Sequence, residues 1–582
     1  MNKNQVSHSQ SPSKFGGLSK WTPIRRLILA VVFISATSIL ALDQPINFRL
    51  LGEMVITSQP SSLSVAIGSS ATFSVSAAGG GPVTYQWYVG NYLNPPSAVP
   101  GATNASLTLT NVQMTNAGIY TVAISNPWGT VTSAKAGLNI KRWLALGRKA
   151  GSSGSGNLPS DPYDCDNPTA YTAIIATNRP YCSFYYLSNG TYYTHGGGYH
   201  LVDTNADGSI YIQATAWEGC KHYGQGPTNT IIKLLPWRTL QTDLNTNKWA
   251  YAHIIFGPSD FQWTPGFELH DLKLDVNATN QPDWAGHLGS FGAVAASGSY
   301  LLFSNLVVTG FGTAQAGVEC FPFNLGTVAS VPTPVENIRI TDCTFTAPVA
   351  GNRDGATCSL IETYRPAYSK DDSTLVVTNC VFANLKSDFI YSHAVHAPTV
   401  VNCRFTNCSD GFYLETATGG GWDPRDFLHN FLISGNQFAN VDYCVQIINQ
   451  PGHAFVKGLT IVGNTLLMNT NALGHFGFVN TLLNPLSAPY PQIGSVVIAS
   501  NTVKFMDGLL HPAGGAQGFN LSFIGALNVH NNVSSLGNHK DFVVWTNTIP
   551  AKVFTNNVDA QGNPLLISDN QGNLYPQSSP PP

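Results

Sequence analysis

Charge is sparse in this sequence. Of 582 residues, 28 are Lys or Arg and 31 are Asp or Glu, 10% in all, with a formal net charge of −3. A nucleic-acid binder needs a clustered basic face against phosphate, so no nucleic-acid partner is expected. Cysteine is missing from the first 160 residues, which leaves that part without any disulfide. The chain also lacks a phosphate-binding Gly-Lys-Ser/Thr loop, a His-Glu-x-x-His helix and a Gly-x-Ser-x-Gly elbow. Nucleotide, zinc-protease and serine-hydrolase chemistries of those kinds lose their sequence support. The 15 histidines are scattered, which gives no metal cluster.

Turn formers and aromatics are plentiful, with 55 Gly, 36 Pro and 11% Phe, Trp and Tyr. This composition points to an all-β chain rich in turns. Lys14, Lys20, Arg25 and Arg26 precede the apolar run LILAVVFISATSILAL, residues 27–42. A basic flank, a short apolar core and small residues near Ala41 fit a secretory signal peptide over residues 1–42, with a retained anchor as the alternative. The expected location is secreted or at the cell surface.

Residues 54–141 form one unit. VITSQPSSLSVAIGSSATFSVSA alternates polar and apolar residues, YQWY follows, and LTLTNVQMTNAGIYTVAISN completes the pattern. Short alternating strands between turn signals read as a β-sandwich. The unit resembles an immunoglobulin-like domain of the I-set kind, with Trp87 at the core tryptophan and Asn116–Tyr120 at the tyrosine corner. The two bridging cysteines of that family fall on Val75 and Val122. The resemblance therefore implies a sandwich held by apolar packing, used as a spacer or surface tether.

GRKAGSSGSGNLPS, residues 147–160, reads as a flexible Gly/Ser linker within a 142–162 boundary segment. Residues 567–582, ending QSSPPP, read as a disordered tail. Between them, residues 163–566 hide a repeat. FELHDLKL, LLFSNLVV, IRITDCTF, LVVTNCVF, TVVNCRF, FLISGNQF, LTIVGNTL, VVIASNTV, LNVHNNV and KVFTNNV align on Leu272, Leu306, Cys343, Cys380, Cys403, Asn436, Asn464, Asn501, Asn532 and Asn557. A short strand recurring every 23 to 37 residues is the mark of a solenoid with loops of variable length. From here the chain resembles the pectin-lyase-like superfamily, which implies a right-handed parallel β-helix of three sheets and about ten coils.

Equivalent residues on stacked coils lie about 4.8 Å apart with parallel Cα–Cβ vectors. That exceeds the roughly 3.8 Å between Cβ atoms that a disulfide prefers. Cys343, Cys380 and Cys403 therefore read as a buried apolar column, continued from Asn436 by an amide ladder. Cys165 and Cys182 are the best-placed disulfide candidates.

Chemistry is expected on the third strand of each coil. Asp388–His393, DFIYSH, and Asp410–Glu415, DGFYLE, follow the aligned strands, and Glu362, Tyr364 and Arg365 come from the coil before. Alternation puts Tyr391, His393, Tyr413 and Glu415 on the outer face, and the insertion TATGGGWDPRDF adds Trp422 and Arg425. Carboxylates, a histidine, arginines and flat aromatics suit a polysaccharide, as acid, base, uronate clamp and sugar platform. Glu362 with Glu415 makes a candidate hydrolase pair. His393 or Tyr391 as base with Arg365 or Arg425 as clamp makes a candidate lyase. The Gly-His-Gly of polygalacturonase-like enzymes and the Arg-x-Pro-x-x-Arg of pectate lyases are absent. KSDFIYSHAVHAPTVVNCRF is similar to a pectin methylesterase region and would place Asp388 at the nucleophile. A non-catalytic surface adhesin or carbohydrate binder is the competing reading.

No cofactor is expected. The one candidate for Ca²⁺ is LVDTNADGS, where Asp203, Asn205, Asp207 and Gly208 have loop spacing but Ala214 stands at the twelfth position.

Overall fold

The computed structural model describes residues 52–577, apart from loops. The larger segments outside the description are 200–216, 237–249, 257–263, 281–288, 311–317, 325–336, 348–360, 364–374, 386–389, 393–398, 417–427, 450–455, 469–476, 484–492, 506–516, 536–542, 546–550 and 568–574. The signal segment 1–42 and the calcium-like loop 203–214 therefore lie outside the described residues. Among the described residues, no helix is long and apolar enough to cross a membrane.

Alternating side chains build the sandwich. In Ala71–Ser74 every second residue is buried, and Thr84–Gly90 places Trp87 fully inside. Trp87 donates its indole N–H to the Asn104 carbonyl at 2.9 Å, so its one polar atom is satisfied in the core. The Tyr120 hydroxyl donates to the Asn116 carbonyl at 2.7 Å, which closes the tyrosine corner. Val75 and Val122 are buried at the positions where a disulfide would cross. Each contributes about 1.5–3 kcal/mol by burial alone.

The sandwich does not end at a linker. Its last strand, Ala136–Ala145, pairs antiparallel with Gly118–Asn126 through Ala136↔Tyr120 and Leu138↔Gly118. It also pairs parallel with Leu63–Val65, and from Ile140↔Cys182 to Leu144↔Tyr186 it pairs parallel with the solenoid strand Cys182–Tyr186. One strand thus belongs to both units, and the expected 142–162 linker begins inside it. Further on, Asp161 accepts from the Ser153 hydroxyl at 2.6 Å, the Ser155 hydroxyl at 2.6 Å and the Gly154 amide at 2.7 Å. Side chains strengthen the junction. The Tyr92 amide donates to Glu218 at 2.6 Å, and the Tyr181 hydroxyl donates to the same carboxylate. Asn139 donates to the Gly219 carbonyl at 2.6 Å, and Tyr92 stacks on Tyr300 with 5.6 Å between ring centres.

One α-helix, Pro168–Thr177, packs beside the first coils. Asn167 caps it, accepting from the Thr169 amide at 2.8 Å and the Ala170 amide at 3.3 Å. Proline at the first position is pre-set for the helix. Its Tyr171 hydroxyl meets Tyr186 at 2.7 Å, and Tyr186 meets His222 Nδ1 at 2.9 Å.

The solenoid explains why asparagine so often precedes the aligned residue. Asp271, Asn305, Asp342, Asn379, Asn402, Ser500, Asn531 and Asn556 all have φ between 50° and 57°, and Gly435 and Gly463 have φ of 66°. This left-handed conformation is costly for most side chains and tolerated by Asn, Asp and Gly. It turns the chain, and the next residue points inward. Leu272, Leu306, Cys343, Cys380, Cys403, Asn436, Asn464, Asn501, Asn532 and Asn557 are all buried. Two residues on, Phe345, Phe382, Phe405 and Phe438 stack at 4.8–5.2 Å.

The third sheet has eleven strands among the described residues, from Gly197–Tyr199 to Val543–Trp545. All its pairings are parallel except the first, between Gly197–Tyr199 and Ala250–Phe256.

Cys165, Cys182, Cys343, Cys380 and Cys403 are buried thiols that form no disulfide. Cys165 and Cys182, expected as disulfide candidates, are separate thiols that pack in the apolar core. The tail also differs from expectation. Ile567 is buried, the Tyr575 amide donates to the Ile567 carbonyl at 2.9 Å, and Gln577 is hydrogen-bonded to Asn557. Apolar Ile567 and Tyr575 give this segment a core contact that its Ser/Pro-rich end conceals in the sequence.

Candidate active site

The third sheet brings together residues that are 29 and 22 positions apart in sequence. Glu362 on Ile361–Thr363 pairs with Tyr391 on Ile390–Ser392, and Tyr391 pairs with Tyr413 on Asp410–Thr416. The same register runs back to Asn324 and forward to Gln446, Asn480 and Asn520. One polar column therefore follows the solenoid axis, each residue about 4.8 Å from the next.

The neighbouring column contains Val294, Phe323, Ile361, Phe412, Val445, Val479, Phe519 and Val543, and its Val294 is fully buried. On Asp410–Thr416, Glu415 lies two residues, one strand period, beyond Tyr413. Glu415 itself pairs with Ile448.

These registers alter the carboxylate geometry. Glu362 and Glu415 are two coils and two residues apart, so their Cα atoms are separated by roughly 12 Å on strand spacings. An inverting pair needs its carboxyl groups about 6.5–9.5 Å apart, less than this backbone separation. Glu362 and Tyr391, one spacing apart, are closer.

For the strands carrying Glu362, Tyr391, Tyr413 and Glu415, placement rests on backbone register. Tyr364, Arg365, Asp388, His393, Trp422 and Arg425 lie outside the described residues.

A second ionisable group, not anticipated from the sequence, lies near the junction. Lys221 is 2.6 Å from Glu268, and His270 Nε2 is 3.0 Å from the other oxygen of the same carboxylate. Burial raises the Glu268 pKa, but the His270 hydrogen bond and the Lys221 charge outweigh it and hold the carboxyl below its usual range. Beside it, Trp143, Tyr185, Tyr223 and His270 stack face to face at 6.2, 5.0 and 4.7 Å. Their faces cover one another, so this column offers edges rather than an open sugar platform. Its signal was the recurrence of an aromatic at matching strand positions, in KRW, FYY, KHY and ELH. Among the described residues no group of three or more His, Cys, Asp or Glu is arranged to hold a metal.

Comparison with known proteins matches two stretches of the chain. The family model described as immunoglobulin domain matches residues 55–126, and the one described as right handed beta helix region matches residues 289–481. No curated protein matches. Solved structures with local similarity include an I-band fragment from titin, 22% identical over 16% of this chain and 39% of that chain, TM-score 0.13. Another is the tandem Ig repeats of Dlar, 20% identical over 16% and 49%, TM-score 0.14. The chain thus spans less than half the length of these two structures, and the similarity extends no further than the sandwich fold.

Proposed function

We propose that this chain, which joins an immunoglobulin domain to a right-handed parallel β-helix, is an exported or surface-attached protein that binds and cleaves a polysaccharide. The observation that carries the reading is the register Glu362–Tyr391–Tyr413 on three successive coils, with Glu415 two residues further along the last. A carboxylate and two aromatics on successive coils, in line with further Asn and Gln along a straight axis, match a linear chain of sugars better than a compact small molecule. The proposal includes His393, the residue after Ser392, because Ser392 pairs with Leu414 and Glu415 follows Leu414. In this reading Glu362, Glu415 and His393 supply the titratable groups, and Tyr391, Tyr413 and Trp422 contact sugar rings. Tyr364, Arg365 and Arg425 bind substrate, the two arginines clamping uronate carboxylates. Asp388 is a nucleophile only if the chemistry is ester hydrolysis.

The carboxylate separation makes two mechanisms distinguishable. If Glu362 and Glu415 act as acid and base on opposite sides of a glycosidic bond, new reducing ends appear without unsaturation. If His393 or Tyr391 removes the proton α to a uronate carboxylate, each cut also creates an unsaturated uronide. The test is the exported fragment against a panel of neutral and acidic polysaccharides, with both products measured. Cleavage lost in Glu415→Gln and His393→Ala, with folding intact, supports the site. Binding without cleavage on every substrate would favour the adhesin reading, and cleavage unchanged in both variants would remove these residues from the mechanism.

A further inference from the structure

Among the described residues of the sandwich, Trp128 is the one large hydrophobic side chain that is exposed, at 58%. It sits in the turn between Gly118–Asn126 and Gly129–Thr132. Asn126 fixes that turn from both sides. Its Oδ1 accepts from the Trp128 amide at 2.9 Å and the Gly129 amide at 3.0 Å. Its Nδ2 donates to the carbonyls of Gly52 at 2.6 Å and Gly80 at 3.0 Å. The six-membered ring of Trp128 lies on glycine backbone. A Cβ added to Gly52 would come 2.9–3.2 Å from Cδ2, Cε2 and Cε3, and one added to Gly81 would come 2.6 Å from Cζ3. Any other residue at these two positions would lift the ring, so one face is seated on bare backbone and the other is open to solvent. Among the described residues no acceptor meets the indole N–H.

We propose that Trp128 is a platform for an uncharged sugar ring, which makes the sandwich a second binding site, for a neutral polysaccharide. The ligand class rests on the polysaccharide reading above, while the selectivity comes from the sandwich itself. Between residues 52 and 134 the only charged residue is Glu53, with no Lys, Arg, His or Asp. A uronate, a phosphate or an anionic lipid would find no cation there, and exposed Glu53, next to Gly52, would repel it. The area is also too small for a protein partner. A tryptophan buries about 150–250 Å², against about 800 Å² per partner in a stable protein interface. A pyranose presents a flat C–H face that covers one indole, and its hydroxyls offer acceptors to the free N–H. The position suits a polymer. Ala136–Ala145 runs past Gly118 into the solenoid. Asn126 lies the other way, at the far end of Gly118–Asn126, roughly 27 Å on strand spacings. The platform can therefore hold one stretch of a polymer while the solenoid contacts another, and two contacts on one polymer raise its retention.

The experiment measures retention of the intact chain, Trp128→Ala and Trp128→Tyr on cellulose, mannan, starch and chitin particles, with polygalacturonate gel and phosphatidylcholine vesicles beside them. The parent should be retained on at least one of the neutral polymers. Trp128→Ala should bind that polymer at least about tenfold more weakly, and Trp128→Tyr, which keeps a ring over the glycines, should stay within about threefold of the parent. Retention on polygalacturonate should not depend on Trp128. No retention of the parent on any neutral polymer overturns the platform. Retention that Trp128→Ala leaves unchanged also overturns it, and the solenoid reading then stands. Trp128-dependent retention with no cleavage of any polymer keeps the platform and removes the cleavage reading instead. Trp128-dependent binding to the vesicles alone assigns the residue to a membrane surface and overturns the sugar ligand. If Trp128→Ala does not fold, peptide-resolved oxidation of Trp128 in the parent decides: protection by the retained polymer supports the platform, and equal oxidation with and without it overturns it.

Discussion

The two halves of the inner column do the same geometric task with different chemistry. Cys343, Cys380 and Cys403 sit at the same position, with the same burial, as Asn436, Asn464, Asn501, Asn532 and Asn557. The thiols approach backbone carbonyls weakly, Cys380 Sγ lying 3.2 Å from the Thr378 carbonyl and 3.6 Å from that of Ile340. The amides bond strongly, Asn501 Nδ2 lying 2.9 Å from the Ile461 carbonyl and 3.0 Å from Asn532 Oδ1. The handover is at Cys403, whose amide donates to Asn436 Oδ1 at 2.8 Å. The preceding left-handed residue, rather than the side chain after it, is what the coil requires. The inward position accepts either a small apolar group or a fully bonded amide.

The largest expected effect tests the amide half. Asn501→Leu takes the Asn501 partner from the Asn464 amide and the Ile461 carbonyl, while Asn464 Nδ2 keeps the Ile433 and Val462 carbonyls. The loss should be about 2–6 kcal/mol in denaturant unfolding, since each unsatisfied buried group costs about 1–3 kcal/mol. A loss below about 1 kcal/mol would contradict the difference drawn between the halves.

Next is a buried polar group that titrates, which the ladder amides do not. Burial, followed by the charge of His270, lowers His222 to about 3, against about 6.5 in an unfolded chain. Between those values the unfolded chain binds a proton at His222 that the folded chain refuses. Stability should therefore fall as pH drops, at up to about 1.4 kcal/mol per pH unit from this residue. In His222→Phe that slope should flatten, and a slope unchanged in the variant would assign the acid sensitivity elsewhere.

Cys380→Ala should lose only about 1 kcal/mol, as a small apolar residue giving up one buried atom. Cys403→Asn should be smaller still, within about 1 kcal/mol of the parent, because the Cys380 amide, now 3.5 Å from the Cys403 sulfur, would gain an oxygen acceptor. Thermal denaturation of both variants checks these values. In the same series, burial pushes the Cys343 thiol up, and the hydrogen bond with Cys380, followed by burial, pushes the Cys403 thiol up. Neither should react with an alkylating reagent at pH 8 before unfolding, and site-resolved labelling in the folded protein would contradict that.

The ladder was legible because its period-two strands and its Asn-Cys steps repeat, and repetition survives loops of any length. The sandwich was legible from Trp87 and the Asn116–Tyr120 corner. The junction was not, since AGLNIKRWLAL alternates equally well as the end of one unit or the start of another. The helix left a readable signal, Asn167 before Pro168, which the strand-rich surroundings masked. Gln577 left none, because a single glutamine in a Pro/Ser tail becomes a ladder member only once ten coils have been stacked beneath it. At the candidate site, register gave the backbone neighbours. The two-residue offset of Glu415 from Tyr413 became a distance only when the coils were aligned.

The account holds that chemistry lies on the polar column of the third sheet and only architecture on the inner column of cysteines and asparagines. The most direct measurement is the cleavage rate of Glu362→Gln/Glu415→Gln beside that of Cys380→Ala/Cys403→Ala, on whichever polysaccharide the parent protein cuts. The account predicts a loss of at least about 100-fold for the carboxylate pair, in the range of positioned acid–base catalysis, and less than about twofold for the cysteine pair. Equal rates in the two variants, or a large loss in the cysteine pair with folding intact, would contradict it.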